Sequence, residues 1–507
     1  MSDGTSSARL PWQGAFVALC ALLAYTTTLR NGLVWDDFVL LDAVRAAGFP
    51  GLLKLEFMHP GNGYYRPLVL ASLWLDDQLA GIAPPAFHMT NILLHAANSF
   101  LVWRLLGALF APTAALWGSL LFAVHPVTAE PVAFVSGRTD LWVAFFTLLL
   151  ALRWALLMRD ETRRSPREWF LWFALFVLGG LAKETMFIFP AILFVWGLLL
   201  FPPPGCFAGW VRRDGWWLSA SAAGIAALLA IRTGFAGVGF GRGLAGLGGP
   251  DPVAAVNQLA AIPAIVGTYL RLLVWPWPLS AYYTQAHLHF GAGTVAAAAA
   301  ILACGALTAR RRFQRAGAVG LVWLAGFLLP VSGLVRITGA VVAERFLYLP
   351  LVGLAVLFGN VVLMLGATGR RRQVAALGAG AVLAVLAALS LQRAAVWRDE
   401  ITLFERTQRD APSTIAKLAL AGAYFKAGRA AEAHRLRGEV YFQIKLFPQA
   451  VEEFTLAARE GPADPAIMDQ LGQALLGSGD AVGAESAFRA GLRLNPGHAP
   501  AAARRLP

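Results

Sequence analysis

Charged residues are scarce in this chain of 507 residues. They make up 14% of it, whereas soluble domains carry about 25%, and hydrophobic residues account for 58%. The low charge excludes the series of soluble domains that the length by itself would suggest. The composition instead predicts an all-α, polytopic helical membrane protein.

Cysteine is scarce too, and familiar catalytic signatures are missing. Cys20, Cys206 and Cys304 lie in or beside apolar stretches, which excludes a disulfide framework. No Ser–His–Asp order or P-loop stands out. The glycine run 234–249 is interpreted as a flexible outside loop, because no strand precedes it. The histidines lack the spacing of metal ligands, so no metal site is predicted from them.

Apolar runs long enough to cross a bilayer, which takes roughly 20 residues, recur along the chain. A further apolar stretch, 253–275, contains Pro263 and Arg271 and is predicted to lie in the outer interface or to re-enter. The first run lacks a cleavage site and is interpreted as a signal anchor. About eleven transmembrane helices are predicted, over residues 12–30, 88–109, 112–127, 139–158, 169–183, 185–201, 216–232, 290–308, 317–335, 346–366 and 374–392.

Arginine is concentrated in four short loops between these spans. Residues 159–168, 202–215, 309–316 and 369–373 contain thirteen arginines, and basic loops of this kind stay in the cytoplasm. Placing all four there requires eleven crossings, with a cytoplasmic N-terminus and a C-terminal region outside. Most of the formal charge of +13 is therefore a topological signal and argues against nucleic acid. The Ala/Gly/Arg-rich composition suggests a bacterial inner (cytoplasmic) membrane, with the outside being the periplasm.

The composition changes near residue 393. This predicts a transmembrane domain over 1–392 and a second domain over 393–507 on the periplasmic side. A 34-residue period is typical of tetratricopeptide repeats and predicts an α-solenoid. Such a solenoid can hold an extended acceptor peptide, or it can serve as a spacer or assembly module. The period is carried by Gly438, Tyr441, Ala450, Phe454 and Pro462, then by Met468, Leu471, Gly472, Leu475, Ala484, Phe488 and Pro496, with an upstream copy at Phe404, Pro412, Leu418, Gly422 and Phe425.

Polar residues collect on the outer side of the predicted spans. A transporter would place several of them near the middle of the membrane, at broken helices. Their position at the rim predicts chemistry at the boundary between lipid and water, and ionisable residues there are candidate functional residues. The residues in question are Asp36, Asp37, Arg66, His88, Asn91, His125, Glu130, Arg138, Asp140, Lys183, Glu184, Glu344, Arg345 and Tyr348.

Two kinds of chemistry fit these residues. Asp36 or Asp37 can act as a general base toward a hydroxyl, or can bind a divalent metal through oxygen; the alternative is that they solvate a helix end. Basic side chains can bind a phosphate; the alternative is that they snorkel or form local pairs. Under that alternative, the local pairs would be Arg138 with Asp140 and Lys183 with Glu184.

Six motifs in fixed order carry a resemblance to a known family. They read NGLVWDDF, YYRPL, FHMTNILLHAAN, FAVHPVTAEPVAFVSGRTDL, LAKET and VVAERFLYLP, and the repeats follow them. In this order they resemble the transmembrane-and-tetratricopeptide-repeat O-mannosyltransferases, over residues about 12–507. The resemblance implies a GT-C glycosyltransferase fold and a polyprenyl-phosphate-linked sugar as donor substrate.

The resemblance also implies roles for individual residues. Asp36 and Asp37 become the catalytic site, where one carboxylate takes the proton of an acceptor Ser/Thr hydroxyl in a single inverting displacement. The remaining polar residues become candidates for binding the donor phosphate and substrate: Arg66, His88, Asn91, His125, Arg138, Asp140, Lys183, Glu184, Glu344 and Arg345.

One segment departs from the family pattern. Members usually carry an acidic residue after a P-x-P-L-S segment, whereas this chain continues from Pro276 to Tyr283 as PWPLSAYY. If that acid binds acceptor or metal, this protein differs in acceptor or depends less on a metal. No resident cofactor is certain from the sequence, and a divalent metal stays open.

The sequence therefore favours a hexosyltransferase, for mannose or a similar hexose, that acts on exported proteins. Two alternatives remain. One is a transferase of the same fold that modifies a lipid or an envelope glycan. The other is a non-enzymatic membrane scaffold or transporter whose repeats recruit partners.

Overall fold

A computed structural model shows the chain as a helical protein. It describes residues 11–57, 64–159, 165–202, 215–237, 252–288, 290–309, 315–334, 341–366 and 368–495. Within these ranges there are helices and turns but no strand, and extended backbone pairs only at an isolated bridge between Tyr283 and Val342. The predicted all-α class is confirmed.

Some predicted features lie outside the described residues. These are the glycines of the run from 238 to 249, Cys206, Pro496, and seven of the thirteen loop arginines: Arg163, Arg164, Arg212, Arg213, Arg310, Arg311 and Arg312.

The chain divides into two compact units. The first comprises residues 1–279 and 283–398, and the second comprises residues 399–507 together with 280–282. The first unit contains fifteen α-helices in its described part: α1 Pro11–Tyr25, α2 Asp36–Leu52, α3 Pro67–Ala80, α4 Pro84–Leu109, α5 Pro112–Val124, α6 Ala129–Ala133, α7 Arg138–Leu157, α8 Pro166–Ala182, α9 Phe189–Leu200, α10 Trp216–Ala230, α11 Pro252–Val274, α12 Ala292–Thr308, α13 Ala316–Leu328, α14 Pro350–Leu365 and α15 Gly369–Val396.

Five helical segments of the first unit are long and apolar enough to cross a membrane. Six shorter apolar helices accompany them, including 112–124, 292–308 and 350–365. Repeated apolar helices of this length make the chain a multi-pass membrane protein. The number of eleven crossings stays a prediction. The predicted outer loop 31–87 contains two helices of its own, α2 and α3.

Contacts between helix ends bring distant parts of the first unit to one side, which we call the Asp36 side. The hydroxyl of Tyr25, at the end of α1, lies 2.6 Å from the hydroxyl of Thr128, just after α5. Lys183, which follows α8, pairs with Asp140 in the first turn of α7. These helices therefore end and begin at the same level, as in an up-and-down bundle.

Helix α11 contacts the same side along its length. Ile265 packs on Gly333, which follows α13, and Gly267 packs on Thr294 in the first turn of α12. Near the end of α11, the carbonyl of Leu273 accepts a hydrogen bond from His125. All three contacts are with residues near helix ends, and the placement of 253–275 in the outer interface or as a re-entrant segment stays a prediction.

Glycines allow the closest helix approach in the first unit. A Cβ on Gly320 of α13 would lie 2.8 Å from the carbonyl oxygen of Gly353 in α14. Gly118 of α5 approaches Ala355 of α14 just as closely. Small residues permit such packing between membrane helices, where burial of apolar surface gives no driving force.

The second unit consists of helix pairs. Gly438 packs against the ring of Phe454, and 34 residues later Gly472 packs against the ring of Phe488. This recurrence reproduces the predicted 34-residue period in three dimensions, while the tetratricopeptide assignment itself stays a prediction. The helices are α16 Glu400–Asp410, α17 Thr414–Lys426, α18 Ala430–Gln443, α19 Phe447–Glu460, α20 Pro465–Ser478 and α21 Ala481–Leu494.

Candidate functional site

Asp37 is a fully buried carboxylate at the start of α2. Its Oδ1 accepts hydrogen bonds from the backbone nitrogen of Ser136, at 2.8 Å, and from the Ser136 hydroxyl, at 2.6 Å. Its Oδ2 accepts a third from the backbone nitrogen of Val34, at 3.1 Å. Burial raises the pKa of Asp37 to about 7, although these three hydrogen bonds lower it part of the way back. Asp37 thus joins α2 to the segment before α7.

Asp36 is the more accessible of the two acids. It is the first residue of α2 and is half-buried. Trp35 before it has a φ of +55°, a conformation that non-glycine residues seldom adopt and that the surrounding structure must hold in place. The Trp35 ring stacks on Phe134, which in turn stacks on Trp397. This aromatic stack fixes the backbone that presents Asp36.

Arg345 is paired with the buried carboxylate of Glu130. Its guanidinium pairs with Glu130 at 2.5 Å, and its backbone nitrogen also donates to Glu130. Burial lowers the pKa of Arg345, but the carboxylates of Glu130, Asp140 and Asp36 raise it by more, so that the net shift is upward. Glu130 therefore holds a positive charge within electrostatic range of Asp36, and 23% of the Arg345 side chain is accessible.

Lys183 and Asp140 form a buried ion pair, at 2.5 Å. The Lys183 ammonium also lies 5.0 Å from the centre of the Phe346 ring. The partner of Lys183 is therefore Asp140, 43 residues away in the chain, and not the adjacent Glu184 that the sequence offered as a local pair.

Glu184 pairs instead with Arg66. The guanidinium of Arg66 donates to Oε2 of Glu184 at 3.0 and 3.3 Å, and its face covers the rings of Tyr64 and Phe57. Arg232 lies 3.6 Å from the other oxygen of Glu184. One carboxylate thus stands between two guanidinium groups.

A cavity of about 260 Å³ opens beside these pairs. Arg66, Lys183, Glu184 and Thr185 form its polar wall, and the rest of the lining is an apolar wall. The apolar wall consists of Phe187, Ile188, Pro330, Val331 and Phe346. Two cations beside an apolar surface suit a phosphate that is attached to a lipid.

Arg138 is fully buried and serves the framework. It pairs with Asp76 at 2.6 Å, not with Asp140 as the local alternative had it, and it donates to the side chain of Asn91 at 2.7 Å. Asn91 in turn donates to the backbone oxygens of Val132 and Phe134. Both residues therefore hold the α5–α7 connection on α4 and do not line the cavity.

The predicted histidines are buried as well. His88 donates from Nε2 to the carbonyl of Gly32 at 3.3 Å, which ties α4 to the backbone before Asp36. His125 donates from Nε2 to Leu273 and accepts at Nδ1 from the backbone of Val127. Both ring nitrogens of His125 are engaged, so its role is to connect α5 with α11.

Glu344 forms another buried pair. It accepts two hydrogen bonds from Arg393, at 3.0 and 3.1 Å, and one from the hydroxyl of Tyr283. The Arg393 guanidinium lies 5.7 Å from the centre of the Trp397 ring, at the end of the aromatic stack. Glu344 thereby joins the start of α14 to the end of α15.

Sequence reasoning did not single out several partners. Arg393 lies inside an apolar run, and a charge in such a run is itself a signal of function or pairing. Ser136 lies within one of the quoted motifs and Arg232 ends a predicted span, but neither was singled out, because their importance rests on contacts with residues 99 and 48 positions away. Among the described residues, no group of three or more His, Cys, Asp or Glu side chains is arranged to hold a metal ion.

These features define a multi-pass, all-α membrane protein with a polar site at one set of helix ends. Residues 59–231 match the family model described as dolichyl-phosphate-mannose-protein mannosyltransferase. Protein O-mannosyl-transferase Tmtc2 of Drosophila melanogaster is 35% identical over 185 residues, which cover 34% of this chain and 20% of the relative. Protein O-mannosyl-transferase TMTC4 of Homo sapiens is 29% identical over 396 residues, covering 67% and 52%.

The resemblance to the transmembrane-and-tetratricopeptide-repeat O-mannosyltransferases is thus confirmed. The chain spans about half or less of the length of these two relatives. Among solved structures, the apo oligosaccharyltransferase of Archaeoglobus fulgidus aligns with 78% of this chain and 57% of its own, at a TM-score of 0.44 and 14% identity.

Proposed function

We propose that the protein is a membrane glycosyltransferase that moves a hexose, most simply mannose, from a polyprenyl-phosphate donor to Ser/Thr hydroxyls of exported proteins. The observation that carries the proposal is the half-buried Asp36, within electrostatic range of Arg345 and on the same side of the bundle as the cavity lined by Arg66 and Lys183. The printed names of the matching family and relatives, which are mannosyltransferases, support it.

The cavity beside Arg66 and Lys183 is the proposed site of the donor phosphate. Each cation already has a carboxylate partner, Glu184 or Asp140, so the wall has little net charge before the donor binds. A phosphate that leaves with the polyprenol gains negative charge, and preorganised cations stabilise that charge in a site shielded from water. The apolar wall accommodates the first part of the polyprenyl chain.

Asp36 is the proposed general base. The acceptor oxygen attacks the anomeric carbon, the bond from that carbon to the phosphate oxygen breaks, and the hydroxyl proton passes to the Asp36 carboxylate. This is one displacement with inversion, and it leaves polyprenyl phosphate as the second product. Asp37 positions Asp36 through its hydrogen bonds to Ser136 and Val34 and does not itself take the proton.

Single substitutions test these roles. Asp36→Asn keeps the size of the side chain but removes the base, and we expect sugar transfer in membranes to fall about a hundredfold or more, the range for loss of a general base. The assay follows radiolabelled mannose from polyprenyl-phosphate mannose into protein. Asp42→Asn is the matched control, since Asp42 is an exposed acid in the same helix and its loss should leave transfer unchanged.

The outcomes separate the roles. Full transfer by Asp36→Asn contradicts the base. Loss of transfer by Arg66→Gln through a raised KM for the donor, with kcat retained, supports the phosphate site, whereas an unchanged KM contradicts it. Label that enters lipid or glycan instead of protein points to the alternative acceptor. Absence of any transfer by the wild-type chain favours a scaffold or transporter.

The acceptor and the location belong to the same proposal. We place the protein in a bacterial inner membrane with the Asp36 side facing the periplasm, and we assign the repeats to holding the acceptor. Deleting residues 399–507 should then abolish protein glycosylation while donor turnover continues. Equal loss of both activities contradicts a role for the repeats in holding the acceptor.

A further inference from the structure

A second cavity, of about 370 Å³, lies at the opposite ends of the helices. Leu109 is the last residue of α4, Leu200 is the last residue of α9, and Arg315 immediately precedes α13. Arg159 follows the end of α7 by two residues. We call this the Arg159–Arg315 cavity.

This cavity is distinct from the site around Asp36. Helix α7 begins with Arg138 and Asp140 on the Asp36 side and runs for 20 residues before Arg159. At 1.5 Å per residue, it spans about 30 Å, which is the thickness of the hydrocarbon core of a bilayer. The Arg159–Arg315 cavity therefore lies at the other membrane boundary.

The lining combines two guanidinium groups with an apolar surface. Arg159 is exposed, and Arg315 is half-buried. The remaining lining residues, Leu109, Leu199, Leu200, Phe201 and Pro202, are apolar. Among the described residues, no carboxylate lines the cavity.

Local geometry holds Arg315 in position. Nη1 of Arg315 donates to the backbone oxygen of Leu199 at 2.8 Å. This bond satisfies one of the carbonyl groups that the end of α9 leaves without a partner inside the helix. The ends of α4, α7 and α9 point negative dipole ends toward this region, and these ends alone would repel an anion. The full charges of the two arginines outweigh such partial charges.

We propose that the Arg159–Arg315 cavity binds the phosphate headgroup of an anionic membrane lipid. The guanidinium groups would contact the phosphate oxygens, while an acyl chain would lie along Leu109, Leu199 and Phe201. Two planar guanidinium groups suit a phosphate, and the apolar wall distinguishes a lipid from free inorganic phosphate. Such a site would bind structural lipid on the face away from the sugar donor.

The experiment measures lipid binding to the full-length protein in detergent. The purified chain is titrated with phosphatidylglycerol, with phosphatidylcholine, and with inorganic phosphate alone, and bound lipid is counted by native mass spectrometry. We expect phosphatidylglycerol to bind preferentially. Arg159→Gln should weaken that binding about tenfold. Adding Arg315→Lys to this variant should weaken binding only a little further, because Lys keeps the positive charge.

Matched controls keep the result interpretable. Arg370→Gln removes an exposed arginine from the start of α15, which does not line the cavity, and it should leave binding unchanged. Since Arg159 is exposed, its substitution is not expected to unfold the chain, and the melting temperature checks this. Equal binding of both lipids, equal weakening by Arg370→Gln, or competition by inorganic phosphate at the same concentration as lipid would overturn the proposal.

Discussion

Burial gives the two adjacent acids at the start of α2 different properties. Asp37 is enclosed and accepts three hydrogen bonds, while Asp36 remains half-buried next to the charge of Arg345. A carboxylate whose oxygens are already hydrogen-bonded is suited to holding backbone, and an accessible one is suited to accepting a proton. The same division applies to the cations, since Arg138 is enclosed by its partners and Arg66 lines a cavity.

Asp37 should give the protein a pH-dependent stability. Because burial raises its pKa from about 3.9 in an unfolded chain to about 7, the folded state binds more protons between these values. Its contribution to stability is therefore greatest below pH 4 and is lost as the pH rises through 7. Asp37→Asn should remove this dependence.

The measurement is the melting temperature between pH 4 and pH 8, with Asp42→Asn as the control. Asp37→Asn also replaces one hydrogen-bond acceptor by a donor and should cost about 1–3 kcal/mol at low pH. A pH profile for Asp37→Asn that is parallel to that of the wild type would contradict the assignment.

At the scale of helices, close packing depends on glycine in both units, but the atoms that the glycine contacts differ between the units. In the first unit, Gly320 faces the rigid backbone of Gly353. In the second unit, Gly438 faces the ring of Phe454. Backbone atoms cannot move aside for an added methyl group, whereas an aromatic ring can rotate away from it if the packing around the ring leaves space. The consequences of adding a methyl group should therefore be measurable in each unit.

Gly320→Ala should destabilise the membrane unit. Its Cβ would lie 2.8 Å from the Gly353 oxygen, so α13 and α14 must move apart at a cost of about 1–3 kcal/mol. Gly380→Ala is the control, because a Cβ there meets nothing within 4 Å. Thermal unfolding in detergent should show a lower melting temperature for Gly320→Ala only, and equal behaviour of the two variants would refute the close contact.

Gly438→Ala should destabilise the second unit in the same manner, since its Cβ would lie 2.7 Å from the Phe454 ring. Gly422→Ala in α17 has open space around it and should instead stabilise the helix by up to about 1 kcal/mol. Opposite shifts in the unfolding of this unit, followed by hydrogen exchange, are expected. A gain in stability from Gly438→Ala would show that the pair is not tightly packed.

At the scale of the whole molecule, sidedness decides where the chemistry takes place. The four arginine-rich loops predict one side to be cytoplasmic, and the residues of the Asp36 side follow the opposite ends of the helices. Helix α11 contacts Gly333, Thr294 and His125, which lie near helix ends, and that α11 adds no crossing stays a prediction.

A reporter that is active only in the periplasm tests this arrangement. Fused after residue 507, it should be active, because eleven crossings from a cytoplasmic N-terminus end outside. A fusion within residues 369–373 should be inactive. Activity of the second fusion with inactivity of the first would mean that α11 crosses the membrane and that the count is twelve.

The sequence by itself determined the helical class, the approximate spans, the cluster of polar motifs and the 34-residue period, because each of these follows from local composition or from regular spacing. Tertiary structure alone decided the partners: Lys183 with Asp140, Arg138 with Asp76, and Asp37 with Ser136. These pairs join residues that are 43, 62 and 99 positions apart, so no local pattern reveals them. Burial is likewise a property of the folded neighbourhood, and it is what separates the anchoring Asp37 from the accessible Asp36.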